Sequence, residues 1–251
     1  MAGHSKWANI KHRKGAQDKR RAKLFTRAIK DIYVAVKESG EDINSNPRLR
    51  TAIQNAKGVN MPKDTIERAI KKASSGNDET YIETTYEGYA PNGIALFIEC
   101  TTDNINRTVA NVRAVFNKHN GELGKNGSLE FLFKKMGVFS IETNIVNIEK
   151  DELEMELIDG GLEELEHLEE NDIYIIYTSF ENFGTMQKKL DELQIIPKNA
   201  EIQRIPLDTK TLDLETAKKV LNMIEKFEDD DDVQQVFHNM EMTDELINNL
   251  T

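Results

Sequence analysis

From Ala22 onward, apolar side chains recur every three or four positions. Leu24, Phe25, Ala28, Ile29, Ile32, Tyr33 and Val36 make one broad stripe, and Lys23, Arg27 and Lys30 fall on the other side. This predicts a helix that stops at Gly40. Asn46 before Pro47 predicts a second helix. The asparagine side chain accepts from an amide left unpaired in the first turn, and proline at the first position lacks only a donor that would be unpaired anyway. Leu49, Ala52, Ile53 and Ala56 are its inner face and Gly58 its end. Pro62 opens a third short helix bearing Ile66, Ala69, Ile70 and Ala73.

Beyond the polar stretch 74–80 the period shortens toward two. Residues 81–88 and 94–101 read as strands, with turn chemistry in Ala90-Pro91-Asn92-Gly93 between them. Asp103 or Asn104 starts a helix carrying Val109, Val112, Val115 and Phe116, with Gly121 as its stop, and residues 128–133 read as the next strand. Strand at 138–141, helix at 149–158, strands at 164–168 and 173–177, helix at 180–193 and strand at 200–205 follow in the order β-α-β-β-α-β, the ferredoxin-like split motif. A helix at 214–227, an acidic turn at 229–232, a strand at 233–239 and a short helix close the chain. One helix and one strand cannot make a core, so they are expected to return to the sheet of residues 81–133. The predicted class is α+β in three domains. A basic arm (1–21) precedes a helical bundle (22–78). A discontinuous α+β domain (79–134 plus 207–251) follows, with a ferredoxin-like α+β domain (135–206) inserted into it.

Composition narrows the function classes. The 251 residues are 38% hydrophobic and 31% charged. A single cysteine, Cys100, excludes an intramolecular disulfide framework and a cysteine-rich zinc site. No apolar run reaches the roughly 18 residues of a membrane helix. The basic first residues lack the apolar region of a secretory signal, so a cytoplasmic location is expected. The net charge of −11 conceals a strong asymmetry. Residues 1–72 hold eighteen basic and seven acidic residues, a local net of +11, and the remainder nets −22. With a Debye length of about 8 Å at physiological salt, an approaching phosphate responds mainly to the nearby cations.

Candidate nucleic-acid-binding residues are therefore Lys6, Trp7, Lys11, His12, Arg13, Lys14, Lys19, Arg20, Arg21, Lys23 and Arg27 of the arm and first helix. Lys57, Lys63, Arg68, Lys71 and Lys72 of the bundle join them. Lysine and arginine bind phosphate by charge, and arginine adds paired hydrogen bonds. Trp7 among cations suits base stacking, or else anchors the arm in another core. No base-edge reader is evident, so backbone or shape recognition of DNA or RNA is expected. His4 and His12 lack companions at metal-ligand spacing. Gly121, Gly124 and Gly127 follow a helix instead of opening one, so they predict a flexible connection and not a phosphate cradle. Cys100 reads as a packed core cysteine, 229–232 as a solvated turn, and the carboxylates of 149–170 as solubility charge. No convergent acid, base or nucleophile set is present, which points to a nonenzymatic protein without cofactor, metal or small-molecule substrate.

The opening MAGHSKWANIKHRKGAQDKRRAK, with NMPKDTIERAIKKAS at 60–74, YEGYAPNGIALFIE at 86–99, TDNINRTVANVR at 102–113 and the glycine loop at 120–128, resembles the YebC family. Ala90 and Asn92 stand where that family often has glycine. The resemblance implies the same three-domain layout and a cytoplasmic regulator assigned to DNA-binding transcription regulation. Members linked to translation imply the alternative, a ribosome-associated factor binding ribosomal RNA. It brings no catalytic residues.

Overall fold

The computed structural model describes residues 17–76 and 80–250. Among the described residues, three helices come first: α1 (Gln17–Ser39), α2 (Pro47–Gly58) and α3 (Lys63–Ser74). Helix α1 begins five residues before the start expected at Ala22, because Lys19, Arg20 and Arg21 are good helix formers. Asn46 joins the first two helices. Its Oδ1 accepts from Leu49 N at 2.9 Å, while its Nδ2 donates to Ala35 O at 2.8 Å and Gly40 O at 2.7 Å. Ile32, Tyr33, Leu49, Ala56, Ile66 and Ala73 are among the side chains of the core these helices share.

The first sheet contains β1 (Ile82–Ala90), β2 (Ile94–Thr102), β3 (Glu122–Leu123) and β8 (Val233–His238), in the order β3-β1-β2-β8 and antiparallel throughout. Helices α4 (Ile105–Lys118), α7 (Leu214–Glu228) and α8 (Asp244–Leu250) accompany it. Leu96, Ile98 and Cys100 of β2 pack with Val112, Phe116, Ile224 and Phe227, and the last helix adds Leu246 and Ile247. The C-terminal helix and strand thus return to this sheet, as the pairing argument requires.

The second sheet contains β4 (Phe133–Glu142), β5 (Leu162–Leu168), β6 (Ile173–Ser179) and β7 (Asn199–Pro206), in the order β5-β6-β4-β7, also antiparallel. Helices α5 (Lys150–Ile158) and α6 (Phe183–Glu192) supply Leu153, Leu157, Met186 and Leu190 to its core. Strand order and direction are those of the split β-α-β motif. The chain enters this sheet at Phe133 and leaves it at Pro206, which are paired across β4 and β7.

One expected strand is absent. Of the expected strand 128–133, residues 128–132 form a bend and a short 3-10 segment, Glu130–Leu132, and only Phe133 is extended, as the first residue of β4. Their backbone donors are taken up locally and by Glu87: Leu129 N donates to its carboxylate at 2.5 Å, and Leu132 N donates to Leu129 O at 3.0 Å. The segment curls because these partners replace a ladder. The helix expected from 180 starts at Phe183, and Phe180 lies exposed before it.

Candidate nucleic-acid interface

The apolar stripe of α1 faces the helical core, so its opposite side meets something else. That something is the acidic turn between α7 and β8. Lys23 Nζ donates to Glu228 O at 2.5 Å, and Arg27 donates from Nη2 to Glu228 O at 3.2 Å and from Nε to Val233 O at 3.1 Å. Lys30 Nζ reaches Thr101 O and Asp231 O, both at 2.7 Å, and the Asp232 carboxylate at 3.0 Å. Asp232 also accepts from Arg107 Nη2 at 2.7 Å and Thr108 Oγ1 at 2.9 Å. Burial opposes its ionisation, but the hydrogen bonds from Arg107, Lys30 and Thr108 prevail and hold it below the ordinary carboxylate range. Burial lowers the ammonium pKa of Lys23 against the pull of Asp229.

Two expectations change here. Asp229 and Asp231 are exposed, but Asp232 is buried, so 229–232 is not simply a solvated turn. Lys23 and Arg27, expected to face a polyanion, hold the first helix to the rest of the molecule. Sequence reading missed Lys30, Arg107 and Asp232 as a unit, because about 125 to 200 residues separate the aspartate from its partners. The paired charge runs on α1 and at 229–232 were the available signal.

The other candidates divide cleanly. Lys6, Trp7, Lys11, His12, Arg13 and Lys14 lie outside the described residues, as does His4. Lys19 and Arg20 belong to the first turn of α1. Arg21 is exposed, with its guanidinium 5.3 Å from the Phe25 ring. On α3, Arg68, Lys71 and Lys72 stand at i, i+3 and i+4 and are exposed, so the helix brings them to one face. Lys72 Nζ lies 5.7 Å from the Tyr33 ring, linking that face to α1. Lys63 is exposed beside Glu67 at 3.5 Å. Lys57 is exposed at the end of α2, next to Gly58, which meets the backbone of Lys198.

The glycine loop is not the flexible connection expected. Glu87, 1% exposed, projects its carboxylate into it and accepts from Gly127 N at 2.7 Å and Leu129 N. Gly124 N donates to Glu87 O at 2.7 Å. The amides that an anion would use are occupied by the chain's own carboxylate. Burial pushes the Cys100 thiol up to about 12, so it is a packed, protonated side chain. His119 Nδ1 lies 2.9 Å from Val115 O, within its own helix. Among the described residues, no group of three or more His, Cys, Asp or Glu side chains could hold a metal ion.

Residues 5–76 match the family description TACO1/YebC protein N-terminal domain, and residues 81–240 match TACO1/YebC second and third domain. The chain belongs to the TACO1/YebC family. A relative from Amoebophilus asiaticus, named as a probable transcriptional regulatory protein, is 55% identical over 96% of this chain and 98% of its own length. The Bacillus subtilis member YrbC, under the same description, is 46% identical over 95% of this chain and 99% of its own. The crystal structure of a conserved hypothetical protein from Aquifex aeolicus superposes with a TM-score of 0.80 at 40% identity, covering 91% of this chain and 93% of that one. The TACO1/YebC names describe regulation, and the α+β fold with two antiparallel sheets is shared with that solved structure. Among the described residues, no helix is long and apolar enough to cross a membrane.

Proposed function

We propose that this TACO1/YebC protein is a nonenzymatic, cytoplasmic regulator that binds nucleic acid through its cationic amino-terminal part, as a DNA-binding transcriptional regulator. One observation carries the reading: residues 1–72 net +11 while the rest nets −22. With Lys23 and Arg27 engaged internally, contact falls to the arm, to Lys19, Arg20 and Arg21 at the start of α1, and to the α3 face of Arg68, Lys71 and Lys72. Neutralising phosphates with such side chains releases counterions and requires no particular base sequence. The proposal includes the domain division 1–21, 22–78, 79–134 plus 207–251, and 135–206, in which the helical part presents the cations.

The test is charge reversal at Arg13, Lys14, Arg20 and Arg21. Binding to duplex DNA weakens, and the slope of log affinity against log salt falls by about 0.9 for each phosphate that is no longer neutralised. An unchanged titration curve overturns the reading. The absence of a helix-turn-helix signature and the acidic remainder favour a second reading, a translation factor on ribosomal RNA. Steady cosedimentation with ribosomal particles on a sucrose gradient supports that one.

A further inference from the structure

The negative charge of this molecule is concentrated in one short stretch. Residues 142–172 hold thirteen carboxylates against one cation, Lys150, a local net of −12. Helix α5 and the edge strand β5 are built from this stretch. An acidic surface alone is ordinary solubility charge. Two side chains in this one are not ordinary.

Helix α5 buries Leu153 and Leu157 in the core of the second sheet. Its outer face carries Met155 and Ile158, which are 66% and 62% exposed. They are spaced i, i+3, so they sit side by side one turn apart. Asp151, Glu152, Glu154 and Asp159 surround them and are exposed. The local cations leave most of this charge uncompensated. Lys189 Nζ lies 2.5 Å from Glu156 and 3.9 Å from Asp159, Lys134 pairs with Glu163, and Lys198 pairs with Glu142. Among the described residues, Asp151, Glu152 and Glu154 have no ion pair. A helix needing only solubility gains nothing from an exposed methionine and isoleucine in the middle of its carboxylates.

We infer that the outer face of α5 is a docking surface for a basic, amphipathic helical segment of a partner protein. Met155 and Ile158 receive the apolar side chains of that segment, and the surrounding carboxylates receive its lysines or arginines. Charge complementarity selects this occupant. A polyanion is repelled, a neutral apolar segment leaves the carboxylates stranded, and a purely polar cation leaves the two apolar side chains in water. Methionine suits such a role because its unbranched, polarizable chain adapts to differently shaped partners. This surface is independent of the cationic part assigned to nucleic acid.

The experiment uses the full chain and two synthetic probes. One is a fluorescein-labelled lysine-leucine peptide with its leucines at helical spacing. The other has glutamine in place of every leucine and the same charge. By fluorescence anisotropy the first binds at least about tenfold more tightly than the second, since burying two such apolar side chains contributes that much. In the double variant Met155→Gln, Ile158→Gln, which changes only exposed positions, this preference disappears while the weak, salt-sensitive binding of both peptides remains. Equal binding of the two peptides to the parent chain overturns the inference, as does a preference that survives the substitutions. Two further results overturn the choice of occupant. Light scattering that shows a dimer abolished by the double variant assigns the face to a second copy. Peptide binding that emerges only when residues 1–16 are removed assigns it to this chain's own basic segment.

Discussion

A few side chains decide whether the parts of this TACO1/YebC chain stay together. Asp232 is the acceptor for Lys30, Arg107 and Thr108 at once, and both it and Lys30 are buried. Asp232→Ala leaves a buried ammonium without its partner, which costs about 3–5 kcal/mol. Urea denaturation should show a midpoint lowered accordingly. Its depressed pKa gives a sign as well. Stability from this carboxylate is complete above its ordinary value of 3.8 and is lost as pH falls through the lower folded value. Asp31 acts in the opposite direction. Burial pushes it up to about 7, with Glu83 and Glu201 adding to the shift against Arg48 and Arg27. The folded chain therefore holds a proton there that the unfolded chain has released, so stability declines between pH 4 and pH 7 and then levels off. Asp31→Asn should remove that decline. Thermal melts are expected to show the variant more stable than the parent at pH 8 and equal to it near pH 4; equal melting at pH 8 would refute the raised pKa.

At the level of elements, most helices and strands were legible because their burial pattern is written in the local period. The caps at Asn46 and Asn104 and the stop at Gly40 depend on neighbouring residues alone. The failure at 128–133 has the opposite origin: its curl depends on Glu87, about forty residues earlier, which no local pattern reports. Gly58 shows how tightly elements from distant parts of the chain are fitted. A Cβ there would lie 1.9 Å from Lys198 O. Beside it, Asn55 exchanges two hydrogen bonds with the backbone of Ala200, at 2.8 and 2.9 Å. Gly58→Ala should push α2 away from residues 197–200 and cost roughly 2–4 kcal/mol through strain and lost hydrogen bonds. Hydrogen exchange should report it as faster exchange of the Ala200 amide, with the interior of α1 unaffected.

For the whole molecule, the path of the chain separates charge as well as structure. Residues 135–206 carry six basic and seventeen acidic residues, so the entire net charge of −11 resides in them and the remainder is neutral. Because Phe133 and Pro206 are neighbours, and Leu207 N donates to Leu132 O at 2.9 Å, this segment can be replaced by a short glycine linker without stretching the rest. The shortened protein is expected to bind DNA more tightly than the parent at low salt, where the Debye length is about 30 Å at 0.01 M and the distant carboxylates are felt. Near 0.15 M, where the Debye length is about 8 Å, the two should converge. Electrophoretic mobility shifts at the two salt concentrations check this, and a difference that persists at the higher salt would show that the segment acts by contact and not through its field.

The sequence alone determined most of the elements, their inward faces and the crowding of cations at one end, since each is a property of neighbouring residues or of a sum along the chain. It also foretold that the last helix and strand return to the first sheet, because an isolated pair cannot bury its own apolar surface. Only the tertiary structure decided which cations face outward. Lys23 and Arg27 look like Arg21 and Lys71 in the sequence, yet the first two are turned onto the carbonyls and carboxylates of 228–233. An ion pair between residues some 200 positions apart leaves no periodic trace; it exists because folding places one side of the first described helix beside a turn from the other end of the chain.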